Sequence, residues 1–280
     1  MHIRLFAFDL DNTLVDRSGR ISASNRWAVE AARASGAEVI LVTGRSWRST
    51  LPLYRELGMT GPAICYLGAL EVADGTGRVS SHRPLSPEAW ERLRRLALDE
   101  GLAITAALAV AGQGPSRGAG LAGAPFAVDT ALATRRADDF NGWEDWNPYT
   151  EIDPLLGRLP GPPTLAAVYG DRSVRRVLEA FPAGLPDSQF DLSDRIPGET
   201  VLHIWHAAVD KGTALAGYCR RRNIPPEAVL AVGDNTYDVP MVRFAGIGVA
   251  VPGSHPAALE AADWVATPAE AVARALRLGG

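Results

Sequence analysis

Lysine is almost missing from this chain of 280 residues: of 28 basic residues, 27 are arginine and only Lys211 is lysine. Cysteine is nearly as scarce. Cys65 and Cys219 lie far apart in apolar or helical settings, which excludes a disulfide framework and a cysteine metal site and leaves two buried, reduced thiols as the expectation. Basic excess is absent too: the formal charge is −4, so nothing suggests a partner held through nucleic-acid phosphates. No apolar run is long enough to span a bilayer, and the N-terminal MHIRLFAFDLD enters a strand at once, without the layout of a signal peptide. These absences lead to the expectation of a soluble, cytoplasmic protein that binds neither membrane nor nucleic acid. A small anionic ligand would then have to be held by local groups, because the global field opposes it.

What is present is apolar patterning, with 47% hydrophobic residues. The first third alternates IRLFAF, SASNRWAVEAARASG, EVILVTG, SWRSTLPLYRELG and PAICYLG, a βαβαβ sequence that predicts a parallel sheet covered by helices. Ser22 or Ser24 is placed to cap the first helix and Gly36 to end it. A hairpin is expected around Asp74 to Gly77, and Pro84 and Pro87 mark the exit into a second unit. That unit is expected to be a small α+β domain, with helices near Glu88–Asp99 and Ser173–Ala180 and strands near Leu102–Ala109 and Thr164–Tyr169. Its GQGPSRGAGLAGAP stretch reads as a loop. From VLHIW onward the buried-strand pattern returns through AVLAVGD and IGVAV. The resulting expectation is an α/β protein: a Rossmann-like, doubly wound core from residues 1–83 and 192–280, with an α+β cap inserted at 84–191.

In open parallel sheets, ligands gather beyond the carboxyl ends of the strands. The residues at those positions are Asp9 and Asp11 after the first strand, Thr43, Gly44 and Arg45 after the second, and Gly233, Asp234, Asn235 and Asp238 after AVLAV, with Lys211 opening the helix before it. DLDN alone is also ordinary turn chemistry, and an acidic residue in GDNTYD could be a helix cap. Four carboxylates converging from two strands would repel one another, and a divalent cation bound by oxygen, Mg2+, explains the set better than zinc does. Thr43 and Gly44 offer a hydroxyl and backbone N–H groups at the expected start of a helix, a setting for phosphate. A cation opening a helix is mildly unfavourable unless an anion faces it. Lys211, retained where every other base is arginine, therefore suggests a compact ammonium meeting such an anion.

Taken together, FDLDNTLVD, VTGR, DKG and GDNTYD, in that order and over the whole chain, resemble the haloacid dehalogenase superfamily of phosphatases, and the inserted unit resembles the cap of the Cof-type subclass IIB. The resemblance implies that Asp9 is the nucleophile forming an aspartyl-phosphate and Asp11 the general acid and base. It also implies that Thr43, Gly44, Arg45 and Lys211 hold phosphate, and that Asp9, Asp11 (through its carbonyl), Asp234 and Asp238 surround Mg2+. The substrate would be a small phosphorylated metabolite such as a sugar phosphate. Three positions depart from the usual Cof-type pattern: Leu67-Gly68-Ala69, Tyr237-Asp238 and Pro252-Gly253-Ser254 stand where relatives usually carry asparagine. They leave a second reading open, a phosphate-binding regulatory protein with little turnover. Substrate choice is expected from the cap, with Arg135, Arg136, Trp143 and Trp146 as candidates, and His206 as a further residue facing the substrate.

Overall fold

The computed structural model describes residues 2–111, 126–133, 150–152, 156, 159, 161–193 and 200–279. Two compact units emerge: residues 1–44, 50–76 and 209–280 form one, and residues 45–49 and 77–208 the other.

In the first unit the strands lie side by side in the order Trp264–Val265 (β14), Ile247–Ala250 (β13), Val229–Gly233 (β12), Leu5–Phe8 (β1), Glu38–Val42 (β2), Ala63–Cys65 (β3) and Leu70–Val72 (β4). All neighbours are parallel except β3 and β4, which are antiparallel. Every residue of β1 and β12 is buried, as expected of strands covered on both faces. Apolar side chains of these strands pack against Leu215, Tyr218 and Cys219 of the helix Lys211–Arg222 and Met241 and Val242 of the helix Val239–Phe244. Ser22 is the residue that caps the helix Ala23–Ala34, its hydroxyl accepting the Asn25 N–H at 3.1 Å. Because the chain leaves β1 for β2 on one side and returns through β12 on the other, the end of β1 is the switch point where such sheets open a site. The expected α/β core with a doubly wound sheet is therefore present.

The second unit contains the sheet strands Ser188–Ser193 (β10), Val201–His206 (β11), Leu165–Tyr169 (β9), Ile104–Ala111 (β6), Phe126–Ala133 (β7) and Thr150–Ile152 (β8), in that order. Helices Pro87–Glu100 and Asp171–Ala180 supply the apolar faces, with Trp90, Leu93, Val174 and Val177 packed on Ile104, Ala106, Val168, Leu202 and Ile204. One expectation needs correction. VLHIW, expected among the returning strands of the parallel core, pairs as β11 antiparallel with β9 and β10 (Val201↔Tyr169, Ile204↔Phe190). The contact boundary accordingly falls near Val209 instead of residue 192. A short apolar run bounded by turns looks the same in either sheet, and only the long-range register decides which one it joins. The Gly/Ala/Pro-rich segment at 112–125, Arg135, Arg136, Trp143 and Trp146 lie outside the described residues.

His82 in this unit shares a 2.8 Å hydrogen bond with the buried Thr164 hydroxyl, and burial pushes its imidazole down from 6.5 to about 4. A depressed histidine stabilises the fold fully above its unfolded value and loses that contribution as pH falls from 6.5 toward 4. Acid melts of wild type and His82→Gln should therefore converge or cross as pH falls from 7.5 to 4.5. The histidine's share is about 2 kcal/mol after allowance for its partial exposure. A gap between the two proteins that stays constant with pH would exclude this titration.

Candidate active site

The acidic loop begins where β1 ends. Asp9 is 2% exposed, its N–H donates to Val232 O at 3.0 Å, and Asn12 at φ 58° turns the chain so that Val15 pairs back beside Asp11. On the neighbouring strand, Gly233 ends β12. A Cβ there would lie 2.5 Å from Asp238 Cγ, so the glycine lets Asp238 press against the strand end. Asp238 is fully buried and both its oxygens are engaged: Oδ2 accepts the N–H groups of Asp234 (2.9 Å) and Asn235 (3.1 Å), and Oδ1 accepts from Lys211.

Lys211 binds these two strand ends together. Although it is the first residue of its helix, it is only 2% exposed, and its Nζ donates to Asp9 Oδ1 at 2.5 Å and to Asp238 Oδ1 at 2.6 Å. Lys211 is therefore part of the buried site and not a surface charge. Asp210, the preceding residue, caps the helix by accepting the Thr213 N–H, so the lysine leaves the first turn in a fixed direction. Burial works against the ammonium, but Asp238 and Asp9 outweigh it and hold its pKa above the usual lysine value. Burial also acts on Asp9 and, together with the Asp238 charge, raises its carboxyl well above the ordinary range. Lys211 opposes this, and the Asp11 and Asp234 charges add to it.

Ligand oxygens of Asp9, Asp234 and Asp238 all lie within 4.8 Å of one another, and Asp9 Oδ2 is buried with no hydrogen-bond partner. An all-carboxylate set with an unsatisfied buried oxygen fits a hard divalent cation such as Mg2+. Asp11 is half-buried and its carboxylate is not in this set among the described residues, although it is close enough to raise Asp9.

Thr43 is fully buried at the end of β2, its N–H donating to Ile64 O at 2.8 Å. The expected helix start is displaced: the helix runs Trp47–Glu56, so Thr43 and Gly44 sit on the strand exit and not at a helix N-terminus. Arg45 groups with the second unit. His206, also in the second unit, accepts the Ala208 N–H on Nδ1 at 3.0 Å and so closes a local turn. Thr13 has no place in the sequence reading, and Asn235 has a place at the strand end but no role. Thr13, in DLDNT, has a buried hydroxyl without a partner, and Asn235 donates from Nδ2 to Asp234 Oδ1 at 2.7 Å. Both stand inside the acidic motifs, beside carboxylates that carry the stronger chemical signal.

An open parallel sheet that gathers three carboxylates and a buried ammonium at its switch point defines the class: an α/β enzyme built to handle a compact anion. A family model described as haloacid dehalogenase-like hydrolase matches residues 6–111 and 186–276; the chain belongs to that family and is a phosphatase of its Cof-type branch. It is 26% identical over 268 residues to a phosphoglycolate phosphatase of Methanoculleus marisnigri, covering 94% of this chain and 90% of the relative. Among solved structures it resembles a haloacid dehalogenase-like hydrolase from Bacteroides thetaiotaomicron, with TM-score 0.77, 22% identity and coverage of 97% and 99% of the two chains. It also resembles the subclass IIB sugar phosphatase BT4131, with TM-score 0.72, 17% identity and coverage of 98% and 97%. Among the described residues no helix is long and apolar enough to cross a membrane.

Proposed function

We propose that the protein hydrolyses a small phosphorylated metabolite in two steps, with Asp9 as the nucleophile and Mg2+ as the cofactor. The observation that carries this reading is the buried Lys211 bridging Asp9 and Asp238 while Asp9 Oδ2 is left without a partner. Asp9 attacks phosphorus, the P–O bond to the alcohol breaks, and the leaving oxygen takes a proton from Asp11. The resulting acyl phosphate on Asp9 is cleared by a water whose proton Asp11 accepts, regenerating both carboxyl groups. Lys211 and Thr43 hold the phosphoryl oxygens and offset the charge spread over them, which is most of what phosphoryl transfer requires.

Asp9, Asp234 and the Asp11 carbonyl would hold the metal, with Asp238 fixing Lys211 and the Asp234 backbone behind them. The bound ion supplies positive charge that keeps Asp9 ionised and polarises the phosphoryl group. The name of one relative, phosphoglycolate phosphatase, supports small phosphorylated acids as one candidate substrate group, with sugar phosphates as the other. A phosphate-release screen over both groups decides between them. Mg2+-dependent release from an aryl phosphate is expected, and Asp9→Asn is expected to lower kcat at least about 10³-fold with the fold retained. Turnover by that variant near the wild-type rate would remove Asp9 from the mechanism.

A further inference from the structure

Asn235 carries more hydrogen bonds at the acidic centre than a turn residue needs. Its Oδ1 accepts the Tyr237 N–H at 2.8 Å, which is the ordinary work of a residue capping the short turn Thr236–Asp238. Its backbone N–H donates to Asp238 Oδ2 at 3.1 Å. Its Nδ2 donates to Asp234 Oδ1 at 2.7 Å. The direction of the amide is not arbitrary: a backbone N–H can only donate, so the atom facing Tyr237 is the oxygen and the atom facing Asp234 is the nitrogen. Serine at this position would cap the turn but has no atom where Nδ2 stands, and aspartate would place an acceptor there, so neither reproduces the donation to Asp234.

We infer that Asn235 is a positioning residue that fixes the Asp234 carboxylate in the orientation a divalent cation requires, an inference that rests on the proposed Mg2+ site. Asp234 is only half-buried and sits at the mouth of a loop. The Asn235 amide restricts the rotation of this carboxylate before an ion binds, and the Tyr237 N–H in turn holds the amide. The same residue ties Asp238 to Asp234 through its backbone, so a single side chain and its peptide group set two of the three acids. Hydrogen-bond partners that orient a metal's ligands are typically worth about 10- to 100-fold in metal affinity.

The test uses the full-length protein and Mg2+ alone, without phosphate, measuring the dissociation constant by calorimetry and the thermal midpoint with and without the ion. Asn235→Ser keeps a hydroxyl oxygen to cap Tyr237 but has no atom in the place of Nδ2, so the amide donor that reaches Asp234 is lost. It is expected to weaken Mg2+ binding by about 10-fold or more while leaving the metal-free midpoint within a few degrees of wild type. Asn235→Ala loses both bonds and is expected to weaken binding to the same extent and also to lower the metal-free midpoint. Asp234→Asn serves as the control and is expected to abolish the Mg2+-dependent shift. Wild-type affinity in Asn235→Ser, with the shift abolished in Asp234→Asn, would overturn the role of Asn235 and leave the metal site standing. A wild-type protein without any Mg2+-dependent shift, or a shift retained in Asp234→Asn, would overturn the site itself and this inference with it.

Discussion

Lys211→Met should abolish phosphatase turnover and, in the absence of divalent metal, destabilise the fold by about 3–5 kcal/mol, because breaking a buried ion pair from one side leaves uncompensated charge. The lysine is 2% exposed and spans two carboxylates at 2.5 and 2.6 Å, so neither water nor a neighbouring base can replace it. Methionine has nearly the same length and no charge, which makes the comparison electrostatic instead of steric. The pH dependence gives the sign. Asp9 is already raised above the ordinary carboxylate range by burial and by Asp238, and Lys211 is the influence that lowers it. An acid with a raised pKa favours the fold when protonated and costs stability as pH rises through its folded value. The deficit of Lys211→Met should therefore grow from acid toward neutral pH. Urea titrations at pH 5 and pH 7.5 measure it, and a deficit independent of pH would mean that Lys211 acts by packing alone.

The second large effect is expected at Gly68. Tyr66, Leu67 and Gly68 follow β3 with φ of 49°, 57° and 111°, three consecutive residues in a region that L side chains rarely occupy. The turn is held on one side by the Leu67 N–H, which donates to Thr43 O at 3.1 Å. On the other side it abuts the cap of the lysine helix: a Cβ at Gly68 would overlap the Asp210 carbonyl and lie 3.1 Å from Ala214 Cβ. The turn thus spaces Thr43 from Lys211. Gly68→Ala meets both an unfavourable φ and a backbone that cannot yield cheaply, and should cost at least about 3 kcal/mol. Displacing the helix by even about 1 Å should also lower kcat/KM on the order of 100-fold. Denaturant midpoints and steady-state kinetics on the folded fraction separate the two effects. Unchanged values for both would show that the turn does not set this spacing. Leu67 belongs to the same device: its side chain is buried, with Cδ2 3.1 Å from where a Cβ on Gly44 would lie, and it fills the space beside the strand exit with apolar contact.

The acidic motifs were legible because their chemistry is local: two aspartates two apart after an apolar run, and a glycine-aspartate pair after another, mark strand ends wherever the strands pair. Lys211 was legible for a compositional reason, as the only lysine among 28 basic residues. The alternation of buried runs and amphipathic segments likewise determined the parallel core, since strands covered on both faces have no other pattern to adopt.

Tertiary structure alone decided the rest. It assigned Val201–His206 to the antiparallel sheet, because a short, largely apolar run carries no record of its partner, and the register with Tyr169 and Ser193 is a long-range choice. It moved the helix after Thr43 to Trp47, leaving Thr43 held by Ile64 and by the left-handed turn. It also turned a list of acids into a division of labour. Both Asp238 oxygens are taken by Lys211 and two backbone N–H groups, Asp234 is oriented by Asn235, and Asp9 keeps one buried oxygen without a partner. The sequence by itself determined which groups could meet an anion; the directions of their hydrogen bonds, which depend on residues up to 202 positions apart, were set only by folding.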